Sequence, residues 1–319
     1  MTGFIAQAYK GYTDWWRYLL GFVFIFFIWQ LFSLIQGVFV FIKLSKEKLS
    51  PEEIMLKMGD VDVLMGTLES NLNFFLLLLG FAGGFIAIPF VVKLFHNMKL
   101  KKMLTSRAKF DWKRFSLSFS IIAVLVSGSV ILDYKLSPDD YQLNFQPQKF
   151  LILALIGILM VPIQTSFEEL LFRGYLMQGF GTAFKSRAVA LIVTSTLFGL
   201  MHIANPEIGK LGYQALIVYI GTGFMLGIIT LMDEGLELAI GFHAANNLIT
   251  ALLVTADWTA FKTYSIFKYT GEPSVISDIY VPVFIIYPVL ILGFAKIYKW
   301  KNWKHHLLGK VEKPIETKA

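Results

Sequence analysis

Eight runs of mostly apolar residues divide the chain, and they constrain its fold more than any other feature. Each run has about 17–25 residues, which is enough to cross the roughly 30 Å apolar core of a bilayer as a helix. Of the 319 residues 56% are hydrophobic and only 16% are charged, against roughly 25% charged in a soluble domain. We therefore predict an all-α polytopic membrane protein with about eight transmembrane helices. The runs lie near residues 18–42, 72–92, 115–132, 150–172, 188–204, 213–232, 238–254 and 279–295.

The distribution of lysine and arginine predicts how the chain is oriented in the membrane. If the N-terminus lies inside, the inner segments carry 19 of the 29 Lys and Arg residues, and the outer loops carry 9. Most of the inner ones lie in 93–114 and 296–319. Basic residues collect in cytoplasmic loops, so we predict an integral protein of the cell membrane with both termini in the cytoplasm. This topology explains the net charge of +7 without a nucleic-acid partner. We expect the protein to be surrounded by membrane lipid.

The outer loop after the first run has its own helix signal. Ser50 is followed by Pro51 and, three residues on, by Glu53, which is the pattern of a capping box with proline at the first helical position. We therefore predict a short helix on the membrane surface near 50–66. The chain has no cysteine, which excludes disulfides and a thiol nucleophile.

Ionisable and amide side chains within the late apolar runs are the candidate functional residues. Charged groups inside a membrane are costly and mark functional sites by default. Each of these side chains, taken alone, has a purely structural explanation, such as a hydrogen bond between helices. Their joint occurrence on three helices favours a catalytic site. The candidates are Glu168, Glu169 and Arg173 in the fourth run, His202 in the fifth, and His243 and Asn247 in the seventh.

Helix geometry suggests different roles for these side chains. Glu169 and Arg173 are four residues apart and can pair on one helix face. The Glu168 side chain points about 100° around the helix axis from that of Glu169. It is therefore the carboxylate that is not paired with Arg173, and it is poised as a general base. His243 and Asn247 are again four residues apart, so both can donate hydrogen bonds to one developing oxyanion.

These residues carry a resemblance to a known family. The patterns Glu168-Glu169-x-x-x-Arg173, Phe198-x-x-x-His202 and His243-x-x-x-Asn247 resemble the three motifs of the CPBP (Abi) family. That family groups the type II CAAX prenyl endopeptidases with bacterial intramembrane proteases. The resemblance covers about 150–254.

The resemblance implies an intramembrane endopeptidase, similar to CAAX prenyl protease 2, that acts on a peptide or membrane-protein substrate. It makes Glu168 the activator of the hydrolytic water, with Glu169 and Arg173 as a supporting pair. It makes His202 a second polar group at the water. His243 and Asn247 would hold the oxyanion.

The same resemblance divides the chain into three regions. Residues 1–149 would form an N-terminal transmembrane region of three helices together with the surface helix. Residues 150–254 would be the catalytic core, and residues 255–319 the last transmembrane helix with a basic cytoplasmic tail.

Two mechanisms are compatible with the motifs. A glutamate can activate water without a cofactor, which is the mechanism we favour. Alternatively Glu168, His202 and His243 would supply three ligands to a catalytic zinc with an open fourth position. His-Glu-x-x-His, the motif of many zinc proteases, does not occur in the sequence.

Other functions make different demands on the sequence. A catalytically silent immunity or scaffold protein of the same fold would have little need for the complete set of polar residues. A proton-coupled transporter could use Glu168 and Glu169 as a relay, but it predicts an inverted repeat that the sequence does not show.

The depths of the candidate residues raise a geometric problem. A straight helix from Phe150 places Glu168 about 27 Å inward, and a helix from Ala188 places His202 about 21 Å outward. The two would then lie at different levels. Either Pro162 breaks the fourth span, or segment 177–187 re-enters the membrane.

The orientation can be tested with reporter fusions. Reporters inserted after Lys46 and Asp139 should read outside the membrane, and a reporter after Lys102 should read inside, because the basic segments remain in the cytoplasm. Paired alkaline-phosphatase and fluorescent-protein activities measure this. An inverted pattern at these three positions would contradict the predicted topology.

Overall fold

In the part of the chain that the structure describes, a helix occupies each of the eight predicted runs. The structure of the protein is a computed structural model that describes residues 3–314, so residues 1–2 and the end of the predicted tail, 315–319, lie outside the described residues. The all-α polytopic fold class is confirmed. The helices are α1 (Trp15–Leu44), α2 (Ser70–His96), α3 (Trp112–Leu136), α4 (Pro147–Ala183), α5 (Arg187–Leu200), α6 (Ala215–Asp233), α7 (Glu237–Leu253) and α8 (Ile276–Tyr298).

Not all eight helices are long enough to be assigned as full spans. Within residues 3–314, six helical segments are long and apolar enough to cross a membrane: α1 to α4, α8, and the segment Pro206–Asp233 that contains α6. Helix α5 has 14 residues and α7 has 17, which correspond to about 21 and 26 Å at 1.5 Å per residue. An integral membrane protein is confirmed, and a count of eight spans stays a prediction.

The segments predicted to lie inside meet at one end of the molecule, around Glu234 in the turn between α6 and α7. Its carboxylate accepts a hydrogen bond from the backbone N–H of Phe4 and lies 3.4 Å from Arg187 and 3.0 Å from Nδ1 of His306. Its backbone oxygen accepts the N–H of Ser106 at 3.0 Å. The N-terminal segment, the loop before α3, the start of α5 and the C-terminal segment therefore share this end with the α6–α7 turn.

The outer loops meet at the opposite end. Glu53 and Ser50 form the predicted capping box, with the Ser50 N–H donating to Glu53 at 2.7 Å and the Glu53 N–H donating back at 3.2 Å. The surface helix near 50–66 is present as two short helices, Pro51–Met58 and Val61–Gly66. Lys262, from the loop after α7, reaches Asp62 at 3.3 Å. The two outer loops are thereby joined.

A small sheet at this outer end has no counterpart among the sequence predictions. Its three strands are β1 (Tyr141–Leu143), β2 (Val254–Thr255) and β3 (Phe267–Tyr269). Strand β3 is central, antiparallel to β1 and parallel to β2. The sheet connects the entry to α4 with the exit from α7, the two helices that supply most candidate residues.

Helix α4 resolves the problem of depth in a way that differs from both alternatives. It runs without interruption for 37 residues, through Pro162 and through a π-helical stretch at Leu170–Leu176. Residues 177–183, which the second alternative makes part of a re-entrant segment, are its last helical turns. The separation along the helix from Glu168 to Ala183, the end of α4, is about 22 Å. The separation from Arg187, the start of α5, to His202 is the same. Because α4 and α5 are joined by a short turn, both side chains reach the same level.

The contacts of Glu234 predict a pH-dependent stability. Burial opposes ionisation of this carboxylate, but the hydrogen bond from His306 and the charge of Arg187 outweigh it and hold the pKa of Glu234 below its ordinary value of 4.5. A carboxyl group whose pKa is lowered by folding stabilises the protein above its unfolded pKa and loses that contribution as the pH falls through the folded pKa. The unfolding temperature of the detergent-solubilised protein should therefore fall below about pH 4.5.

The variant Glu234→Gln should show a weaker decline over the same pH range and a lower unfolding temperature at pH 7. Asp139→Asn, at an exposed position of the outer end, is the matched control and should follow the wild type. Parallel curves for Glu234→Gln and the wild type would contradict the role of this carboxylate.

Candidate active site

The six predicted residues come from three neighbouring segments, and most of them are buried. Glu169 and Arg173 are fully buried, and Glu168 and His243 are 7% and 6% exposed. His202 lies in the turn that follows α5, and Asn247 is half-buried on α7. His243 lies on α7, six residues after Glu237 at the start of that helix.

A buried ion cluster forms the base of the site. Arg173 Nη1 donates to Glu169 Oε1 at 2.9 Å, so the pair predicted from the i,i+4 spacing is present. Arg173 Nη2 donates to the backbone oxygen of Gly223 on α6 at 3.2 Å. A Cβ at Gly223 would lie 2.5 Å from the Ser195 carbonyl oxygen, so glycine permits the close packing of α5 and α6 there. The guanidinium also lies over the ring of Phe198, 4.2 Å from its centroid.

His243 connects the two carboxylates. Its Nδ1 is 2.8 Å from Glu169 Oε1, and its Nε2 is 3.4 Å from Glu168 Oε2. The two glutamates diverge around the helix axis, as the sequence predicts, but the width of the imidazole ring allows it to reach both. Because an ionised carboxylate only accepts hydrogen bonds, Nδ1 must carry a hydrogen. The Nε2 atom therefore faces Glu168 across a gap in which one proton can be shared.

His202 presents one free ring nitrogen. Its Nδ1 lies 2.8 Å from the backbone oxygen of Phe198, and a carbonyl can only accept, so Nδ1 carries the hydrogen. In the neutral ring Nε2 is then a hydrogen-bond acceptor. The ring stacks on Tyr219 with centroids 4.3 Å apart. Phe198 contacts the rings of both His202 and His243, at 4.9 and 6.0 Å between centroids.

Gln164 is a site residue that sequence reasoning missed. It lies on α4, one turn before Glu168, and is 3% exposed. Its Nε2 donates to Glu168 Oε1 at 2.9 Å, and its Oε1 accepts from Asn247 Nδ2 at 3.2 Å. Asn246 in turn donates to Asn247 Oδ1 at 3.1 Å. The signal available in the sequence was the i,i+4 spacing of Gln164 from a candidate base. An uncharged amide in an apolar run costs less to bury than a charged group, so it does not by itself indicate a functional site.

The predicted zinc ligands do not form a ready-made metal site. Among residues 3–314 no group of three or more His, Asp or Glu side chains is arranged to hold a metal ion. The Nδ1 atom of His202 faces a backbone carbonyl, and both ring nitrogens of His243 face carboxylates. The donor atoms that these contacts leave for zinc are His202 Nε2, His243 Nε2 and Glu168 Oε2, and zinc binding there stays a prediction.

The fold and this cluster define a polytopic helical membrane protein with a carboxylate, imidazole and amide site enclosed by its late helices. Residues 147–249 match the family model of type II CAAX prenyl endopeptidases, Rce1-like. The resemblance inferred from the three motifs is thereby confirmed over this part of the chain, and the match points to a hydrolase of the CAAX protease type.

A curated relative extends the similarity to nearly the whole chain. The sequence is 27% identical over 305 residues to the uncharacterized protein YyaK of Bacillus subtilis strain 168, and the alignment covers 95% of this chain and 99% of the relative. No solved structure matches the chain. The similarity therefore includes the N-terminal helices, which the motifs alone do not reach.

The ion cluster predicts a division between structural and chemical residues. Arg173→Ala leaves the buried Glu169 carboxylate without its cation, which typically costs about 3–5 kcal/mol. Its unfolding temperature in detergent should fall well below that of the wild type. Adding Glu169→Gln to this variant removes the uncompensated charge and should recover part of the loss.

Glu168→Gln should keep the wild-type unfolding temperature, because its Oε1 can still accept from Gln164 and no cation is left alone. Differential scanning fluorimetry of the four proteins measures the comparison. Equal destabilisation by Arg173→Ala and Glu168→Gln would contradict the division.

Proposed function

We propose that the protein is an intramembrane endopeptidase that hydrolyses a peptide bond with a water activated by Glu168. The observation that supports this proposal best is the asymmetry of the Glu168 carboxylate. Its Oε1 is held by Gln164 at 2.9 Å, whereas its buried Oε2 receives no hydrogen bond from the described protein and lies 3.4 Å from His243 Nε2. One oxygen is fixed and the other is available for a proton.

The steps of the reaction follow from these contacts. Glu168 Oε2 takes a proton from water as the water oxygen bonds to the scissile carbonyl carbon. His202 Nε2 accepts the second hydrogen of that water and orients it. When the C–N bond breaks, Glu168 returns the proton to the leaving amine, so no net proton is consumed in the cycle.

The developing oxyanion needs hydrogen-bond donors, and α7 carries two candidates. Asn247 has two Nδ2 hydrogens, of which one goes to Gln164, so the second can point at the substrate. The proton that Glu168 takes from water would pass to His243 Nε2, from which His243 would donate to the oxyanion before the proton returns through Glu168 to the leaving amine. Glu169 fixes the tautomer of His243 through Nδ1, and Arg173 neutralises Glu169.

The substrate that fits this site is a peptide or the end of a membrane protein. Its chain would enter from the end at which the basic segments meet, or laterally from the lipid. With the basic segments in the cytoplasm, the substrate would come from the cytoplasmic side of the cell membrane.

Turnover can be tested on protein reconstituted in lipid nanodiscs. The probes are two internally quenched peptides with a C-terminal CAAX sequence, one farnesylated and the other unmodified. The wild type should cleave at least one of them, and Glu168→Gln should abolish cleavage because it removes the base. Asn247→Ala should lower kcat by about 10²–10³-fold, as loss of an oxyanion donor typically does, with little change in KM.

A chelator arm and elemental analysis of the active protein separate the two mechanisms. Without a cofactor, activity should survive exhaustive chelation, and the protein should carry no stoichiometric metal. One zinc per chain, lost together with activity, would replace the glutamate mechanism by a metal-dependent one. Absence of turnover with both probes, at an unchanged unfolding temperature, would favour a catalytically silent membrane protein.

A further inference from the structure

We infer that Gln164 is a positioning residue, which fixes the base Glu168 and the oxyanion donor Asn247 in one directed chain of hydrogen bonds. This inference rests on the proposed function, because it concerns how that reaction is prepared. The chain runs from Asn246 through Asn247 and Gln164 to Glu168, with donor–acceptor distances of 3.1, 3.2 and 2.9 Å.

The direction of the chain is determined at its end. The Glu168 carboxylate can only accept, so Gln164 must turn its NH₂ group toward it. The carbonyl oxygen of Gln164 then faces α7, and Asn247 must present an N–H to that oxygen. The Oδ1 of Asn247 faces away and accepts from Asn246. Each amide has two orientations in principle, and the charge on Glu168 selects one for both Gln164 and Asn247.

This selection has a consequence for catalysis. If the Asn247 side chain were turned over, its Oδ1 would occupy part of the space from which its Nδ2 is proposed to bind the oxyanion. A carbonyl oxygen there would repel the developing negative charge instead of stabilising it. Gln164 therefore couples the ionised state of the base to the correct orientation of the donor, although it needs no contact with the substrate.

Gln164 is also placed so that its loss would affect both functional helices. It is almost fully buried between α4 and α7, and its two polar atoms bond only to side chains among its described contacts. A buried amide whose partners are a carboxylate and a second amide is costly to place in a membrane interior unless both partners are present. Its position one turn before Glu168 places the Nε2–Oε1 hydrogen bond within a single helix.

A second buried glutamine on the same helix serves as a matched control. Gln178 lies fourteen residues after Gln164 and is fully buried. Its Nε2 donates to backbone oxygens of Phe4 at 3.3 Å and Lys102 at 2.7 Å, at the inner end of the molecule. Replacing Gln178 removes hydrogen bonds of similar burial without touching the candidate site.

The experiment compares Gln164→Met, Gln178→Met and the wild type, using whichever of the two quenched CAAX peptides the wild type cleaves. Methionine approximates the length of glutamine but makes no comparable hydrogen bonds. Gln164→Met should lower kcat by about 10–100-fold, the range expected when a catalytic group is misoriented, and should leave KM within about threefold. Gln178→Met should lower the unfolding temperature at least as much, with kcat unchanged.

Asn246→Ala provides a second variant at a half-buried position, where failure to fold is less of a concern. It frees Asn247 Oδ1 and should lower kcat by a smaller factor, about 3–10-fold, again at nearly constant KM. This separation of kcat from KM is a readout that a merely structural role would not produce.

The outcomes distinguish the inference from the function on which it rests. If the wild type cleaves a peptide and Gln164→Met has an unchanged kcat, the positioning role is overturned and the proposed function stands. The same follows if kcat falls equally in Gln164→Met and Gln178→Met. If Gln164→Met does not fold, unchanged kcat in Asn246→Ala overturns the directed chain. A wild type that cleaves neither peptide overturns the proposed function and the inference with it.

Discussion

A single carboxylate oxygen, Oε1 of Glu169, joins the helices around the candidate site. It accepts from Arg173 at 2.9 Å and from His243 at 2.8 Å. Arg173 then extends the connection to α6 through the Gly223 carbonyl and to α5 through the face of Phe198. In an apolar interior none of these charged groups can remain without the others, so the ion cluster specifies how the four late helices pack.

The same cluster explains which parts of the fold could be predicted from sequence. The apolar runs were visible because lipid requires helices of a minimum length, and the site residues were visible because charge in such runs is rare. The extent of α4 was not visible, because Arg173 looked like the polar end of a span. The structure shows that its charge is neutralised within the helix, so the helix continues to Ala183. This continuation brings Glu168 and His202 to one level without a break at Pro162.

Other features escaped prediction for different physical reasons. The strand β3 pairs with β1 across more than 120 residues of sequence, and each strand has at most three residues, so no local periodicity marks them. Gln164 carries no charge, and its importance depends on Asn247, which is 83 positions away. The joint occurrence of the polar residues on three helices favoured one site and the family resemblance supported it, whereas the hydrogen-bond directions among their side chains required coordinates.

The i,i+4 spacing of Glu169 and Arg173 has a consequence for how the chain enters the membrane. Helix α4 is synthesised before α7, and His243 follows Glu169 by 74 residues. At about 5–20 residues per second, translation reaches His243 several seconds after Glu169 has left the peptidyl-transferase centre. During that interval, the guanidinium on the same helix is the partner that can neutralise Glu169. A salt bridge in cis therefore lets a helix with two adjacent glutamates in its interior partition into lipid before its later partners exist.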